Sequence, residues 1–155
     1  MKLLSLIGAV CFLPFSQLLA GAADLPAGTA KGIFTPEGKP AVTLAYAVAF
    51  VDVKDDDKPV ILILSDKKLA AEKWTSEFDL MEAHPKFNGV AFWFDKDGNV
   101  FRTGIYEDGQ HTSVSGFFNV KLEGAFGKNL AGAVVTSDPS GTGPKADATF
   151  HVTLK

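Results

Sequence analysis

From residue 29 to the end of the chain, apolar residues recur mostly at every second position, and that period limits what the chain can fold into. Side chains alternate between the two faces of a strand, so period two with one polar side marks a strand half-buried in a sheet. Thr112 to Glu123 shows it best. Val114, Phe118, Val120 and Leu122 fall on one side, with Gly116 between them. Ser113, Ser115, Asn119 and Lys121 fall on the other, and Phe117 is the exception. The C-terminal stretch repeats the logic, with Ala148, Phe150, Val152 and Leu154 alternating with polar residues.

Further strands are expected over 31–35, 41–53, 60–64, 89–94, 100–106 and 130–136. The 60–64 stretch is apolar throughout, so both its faces should be covered. The 41–53 stretch carries bulky Val42, Leu44, Tyr46, Val48 and Phe50 at even positions and small Ala41, Thr43, Ala45, Ala47 and Ala49 at odd ones. About eight strands joined by short turns predict an all-β fold, an antiparallel meander closed as a barrel or packed as a sandwich.

One interval departs from this rhythm. Between Asp66 and His84 the spacing is helical, and Ala70, Trp74, Phe78 and Met81 would share a buried face. Pro85 follows its end, and Ser76 with Asp79 makes a partial capping box, so one or two short helices are expected after the third strand. This segment has an apolar side to bury. It is expected to lie across the odd-position face of 41–53 and to shield at least one of Trp93 and Phe117. These two aromatics sit opposite the large-residue stripe of their strands. Left uncovered, they would form an interaction surface.

The N-terminal residues read as a targeting signal. Met1-Lys2 gives a positive start, an apolar run follows from Leu3 to Leu19, and Ala20-Gly21-Ala22-Ala23 supplies small residues before Asp24. Pro14 and Gln17 interrupt the run, which is too short for a comfortable membrane span. Residues 1–23 are therefore expected to be a cleaved secretory signal, cut between Ala20 and Asp24. Residues 24–155 are expected to form a single β-rich domain with no remaining membrane anchor. Export to the periplasm or the extracellular space follows. Cys11 is the only cysteine, so the exported part has no disulfide, thiol nucleophile or thiolate ligand. Losing Lys2 takes the formal charge from −3 to −4, and without a basic cluster nucleic acid is a poor partner.

Candidate chemistry is sparse. Asp95-Lys96-Asp97-Gly98-Asn99 resembles a calcium loop at first sight. However, an EF-hand counted from Asp95 needs glycine at position six and glutamate at position twelve, where Val100 and Tyr106 stand. Between two strands the stretch reads as a hairpin turn. Asp52, Asp55, Asp56 and Asp57 form an acidic run that reads as a solvated turn at a sheet edge, with a cation as the alternative. His84, His111 and His151 lack metal-ligand spacing, and no nucleophile elbow, phosphate loop or dinucleotide fingerprint accompanies them. No catalytic, cofactor-binding or metal-binding residue is assigned.

Short pieces spread over most of the exported part carry a resemblance: Gly32-Ile33-Phe34 with Gly38-Lys39, Ala45-Tyr46-Ala47, Leu64-Ser65-Asp66, Asp97-Gly98, Ser115-Gly116, Leu130-Ala131-Gly132 and Ala148-Thr149-Phe150. On these the chain resembles a group of small exported bacterial β-domain proteins of uncharacterised role. The resemblance implies the compartment and the fold, and no activity. The expected function is a non-catalytic binding or interaction module for a protein or small-molecule partner. The alternatives are a small hydrolase with a dispersed site and a lipocalin-like carrier. The bulky even-position stripe of 41–53 argues for a filled interior, whereas a carrier needs room inside.

Overall fold

The computed structural model describes residues 21–138 and 140–155. Cys11 and nearly all of the expected signal lie outside the described residues. Nine strands form one antiparallel sheet: β1 (Thr29–Thr35), β2 (Val42–Val51), β3 (Val60–Ser65), β4 (Gly89–Phe94), β5 (Val100–Glu107), β6 (Gln110–Val114), β7 (Phe118–Leu122), β8 (Asn129–Thr136) and β9 (Lys145–Thr153). Their spatial order is β6-β5-β4-β3-β2-β1-β9-β8-β7. The sheet is curled into a half-barrel. The all-β antiparallel fold matches the sequence reading, with one strand more.

The extra strand comes from a break in the stretch 112–123. Gly116 takes a left-handed conformation (φ +79°), and the chain leaves β6 on one edge of the sheet to begin β7 on the other. Phe117, the exception to the alternation, lies in this link. In a flat sheet, eight inter-strand steps of about 4.8 Å would put the edges roughly 38 Å apart. The link from Val114 to Phe118 is four Cα steps, at most about 15 Å. The sheet must therefore curl until its edges nearly meet.

Curling creates two apolar layers. The concave face is filled by Phe34, Leu44, Leu62, Phe92, Phe94 and Phe150, among others. On the convex face Phe50, Ile61, Ile63, Ala91 and Trp93 pack beneath Ala71, Trp74, Leu80 and Phe87 of the segment inserted between β3 and β4. Both faces of β3 and β4 are thus covered, and every residue of each strand is buried. That explains why 60–64 is apolar throughout.

The insertion covers the even-position face of β2, a correction to the expected odd one. The pairing of β1 with β2 shifts by one residue, from Thr29–Tyr46 to Gly32–Leu44. Such a bulge moves every later side chain to the other face. Leu44 is concave, but beyond the bulge Ala47 and Ala49 are concave, while Val48 and Phe50 lie under the insertion.

The helical face of the insertion also differs from expectation. Leu80 is buried (1% exposed), whereas Phe78 and Met81 are 56% and 61% exposed. The segment is not one helix. A 3-10 turn at Ala71–Lys73 ends at Trp74, whose ψ of 122° is extended, and α1 (Glu77–Ala83) starts afresh from Ser76. Restarting resets the helical phase, so spacing counted through the break assigns the wrong face. The start is well capped. Ser76 Oγ accepts from Asp79 N–H, and the Asp79 carboxylate accepts from both N–H and Oγ1–H of Thr75. Those bonds, the backbone one foremost, with Lys54 alongside, hold the Asp79 carboxyl well below the usual carboxylate range.

The leading residues 21–28 run across one end of the sheet. Ala23 N–H donates to Glu123 Oε2, the Leu25 carbonyl lies 2.6 Å from His151 Nδ1, and Gly28 N–H donates to the His151 carbonyl.

The two apolar positions of α1 should behave oppositely. Leu80→Ala is expected to cost about 2–5 kcal/mol of unfolding free energy. Phe78→Ala should change it by less than about 1 kcal/mol. Urea denaturation of both variants checks this, and equal losses would show that α1 packs the other way.

Candidate functional site

The acidic segments have structural duties. Asp52 is buried, and its carboxylate accepts from the N–H groups of Lys54 and Asp55 through one oxygen and of Glu77 through the other. It ties the 53–57 turn to the first residue of α1. Asp95 closes its hairpin: Oδ1 accepts from Asp97 N–H and Asn99 N–H, and Gly98, at φ +83°, donates back to the Asp95 carbonyl. The Asn99 N–H above all holds the Asp95 carboxyl below its ordinary value. Both turns direct carboxylate oxygens at the chain's own amides. Among the described residues no three His, Cys, Asp or Glu side chains group as a metal site would need.

The three histidines occupy separate environments. His84 is exposed at the left-handed end of α1. His151 lies against the leading segment, beside Leu25. His111, on β6, joins a cluster on the convex face.

That cluster is built around Trp93, and two of its polar members, Arg102 and Glu77, carry no signal in the sequence. β-Pairing sets Trp93 opposite Arg102, and Tyr106 opposite Gly89 on one side and His111 on the other. The Arg102 guanidinium lies 3.7 Å above the Trp93 ring, a cation–π contact, and forms an ion pair with Glu77 of α1. The His111 ring is 5.8 Å from Trp93 and 5.0 Å from Tyr106, and Tyr106 stacks on Phe87 at 4.6 Å. Burial pushes the Tyr106 hydroxyl up to about 12. Burial, and secondarily the Arg102 charge, lowers His111. Trp93 Nε1 and Arg102 Nε are buried with no hydrogen-bond partner among the described residues. The cluster holds one cation, Arg102, against one carboxylate, Glu77, and disfavours a second cation at His111. It fastens the insertion to β4, β5 and β6.

Trp93 (1% exposed) is therefore part of a packed layer and does not form an open platform. Phe117 is half-buried in the β6–β7 link, where its ring lies 6.4 Å from Phe118. The insertion covers Trp93 and leaves Phe117 outside its layer.

A second feature was invisible in the sequence: the seam where the curled sheet fails to close. β6 pairs with only the second part of β5, from Thr103 to Glu107. The first residues of β5, Val100 to Arg102, run on past β6. Across from them stands β7, paired on its other side to β8. Between them lies a cleft of about 650 Å³, lined by Val100, Phe101, Arg102, Phe118, Asn119 and Val120 with neighbours from the adjoining turns. Phe126 packs on Phe94 at one end, and Phe118 packs on Phe92 at the other, with ring separations of 5.6 and 6.3 Å.

Backbone polarity along this cleft is set by the pairing on the far side. Glu123 N–H donates to the Ala131 carbonyl, and Ser137 N–H to the Phe117 carbonyl. By the alternation of an antiparallel ladder, Asn119 and Lys121 direct their peptide groups to β8, and Phe118, Val120 and Leu122 direct theirs into the seam. Opposite them a bulge in β5, where Trp93 pairs with Arg102 but Phe94 with Val100, turns Phe101 outward, 60% exposed.

No protein-family model, curated protein or solved structure matches this chain.

His111 sets a pH dependence. Its folded-state value lies below its unfolded one, so its contribution is fully present above about pH 6.5 and is lost as pH falls towards the folded value. His111→Gln should therefore lose less thermal stability than the parent between pH 7.5 and pH 5.5. Parallel melting curves at the two pH values check this. An identical decline in both proteins would place the acid-sensitive group elsewhere.

Proposed function

We propose that this chain is an exported, non-catalytic interaction module, in the periplasm or outside the cell, that takes an extended peptide segment of a partner into the seam between β5 and β7. The observation that carries this reading is the row of peptide groups of Phe118, Val120 and Leu122, directed towards the seam, where among the described residues no strand pairs with them. An extended chain satisfies such groups by adding as a strand, and side-chain pockets then supply selectivity. Phe101 offers an exposed aromatic at the mouth of the cleft, and apolar residues such as Val100 and Val120 line it. The filled concave face supports recognition at the edge over a ligand carried inside. Export is supported by the order of positive start, apolar run and small residues in 1–23.

The test begins with a displayed random-peptide library panned against the protein. Recovered peptides are then mapped by amide hydrogen exchange. Strand addition predicts an alternating footprint, with slowed exchange at Phe118, Val120 and Leu122 and little change at Asn119 and Lys121. A footprint on α1 around Phe78 and Met81, or failure to recover any binder, would count against the seam.

A further inference from the structure

We infer that the exported chain is cut between Ala22 and Ala23, and that the ammonium group created on Ala23 is held by the Glu123 carboxylate. This rests on the export reading above and adds the bond and its acceptor.

Signal processing requires small residues one and three positions before the cut. A cut after Ala20 would place Leu18 three positions before it, and a cut after Gly21 would place Leu19 there. Two bonds satisfy the rule: Ala22–Ala23, preceded by Ala20 and Ala22, and Ala23–Asp24, preceded by Gly21 and Ala23. The structure treats the two new termini differently. Ala23 N lies 3.2 Å from Glu123 Oε2, so a carboxylate already stands where an Ala23 ammonium would form. Asp24 N is directed to the Gly21 carbonyl, which would leave with the signal.

Hydrolysis adds water across the Ala22–Ala23 amide. The C–N bond breaks, Ala22 departs as a carboxylate, and the nitrogen stays on Ala23 as an ammonium. A neutral N–H···carboxylate contact becomes a charge-assisted one at the same place. The anchors of the remaining segment survive, because Leu25 and Gly28 both meet His151. The bonds given up, Asp24 N–H to Gly21 and Leu25 N–H to Ala22, are longer, at 3.3 and 3.2 Å. Ala22 is fully buried in the uncut chain, which assigns the cut to the extended chain before folding.

The experiment is expression of the full chain in a bacterial host. Intact mass and N-terminal sequencing of the exported protein are followed by titration of its α-amino group through pH-dependent reductive methylation. One exported species beginning at Ala23 is expected. Its amino midpoint should lie about half a pH unit above the ordinary α-amino range of about 7.7–8.0. E123Q should return the midpoint to that range, and E123D should keep part of the rise. An exported species beginning at Gly21 or Asp24 overturns the inference and leaves the export reading intact. A chain that keeps Cys11 and stays in the cytoplasm overturns both. A midpoint unmoved by E123Q overturns the assignment of Glu123.

Discussion

The link from Val114 to Phe118 joins the two outermost strands of a nine-stranded sheet, and the rest of the architecture depends on it. A chain that short cannot cross the width of a flat sheet, so the sheet has to bend until β6 and β7 come near each other. Bending narrows the concave side and widens the convex side. The concave side accepts Ala47 and Ala49 beside large aromatics from other strands and is filled by them. The convex side is left with Phe50, Ile61, Ile63 and Trp93, which cannot be left to water. Burial of each such side chain is worth roughly 1.5–3 kcal/mol.

The insertion between β3 and β4 answers that need, and its anchoring shows how. Trp74, Leu80 and Phe87 supply the apolar contact. Asp52 reaches from the end of β2 to the first N–H of α1, and the Glu77–Arg102 pair reaches from the same turn of α1 to β5. An ion pair of this kind adds little by itself when partly exposed. Here the guanidinium also lies flat on Trp93, so its placement seals the aromatic layer as well as balancing a charge. Partial burial of the His111 ring beside this layer, and secondarily the Arg102 charge, lowers its affinity for a proton.

The same bending leaves the seam. A strand edge is normally shielded by polarity, shortness or closure. β6 is protected in the first two ways: it is short, and Gln110, His111, Thr112 and Ser113 face solvent. β7 is as short and has Asn119 and Lys121 exposed, but its other side chains, Phe118, Val120 and Leu122, are apolar, and among the described residues no strand pairs with it on the side facing β5. In the proposed reading, the open edge is the part of the half-barrel that recognises a partner.

Much of this fold was legible in the sequence, because alternation is a local consequence of strand geometry. The strands 60–64 and 89–94, the Asp95–Asn99 hairpin and the interruption between Ser65 and Gly89 could all be read from residue order. The Ser76–Asp79 box likewise marked the restart of a helix. What could not be read depended on pairing across long separations. The register shift between β1 and β2 sends Phe50 to the face that alternation alone had given to Ala49. The break at Ser115–Phe117 resembled a flaw in one strand until the two halves were seen on opposite edges. Trp93 and Arg102 stand on adjacent strands linked by a hairpin, but their stacking, and the arrival of Glu77 from α1, required the insertion to be folded over the sheet. The seam had no sequence signal, because an unpaired edge is a property of what the other strands do. Local steric and hydrophobic periodicity determined the elements, and curling of the sheet through a three-residue link decided their faces, their neighbours and the surface left open.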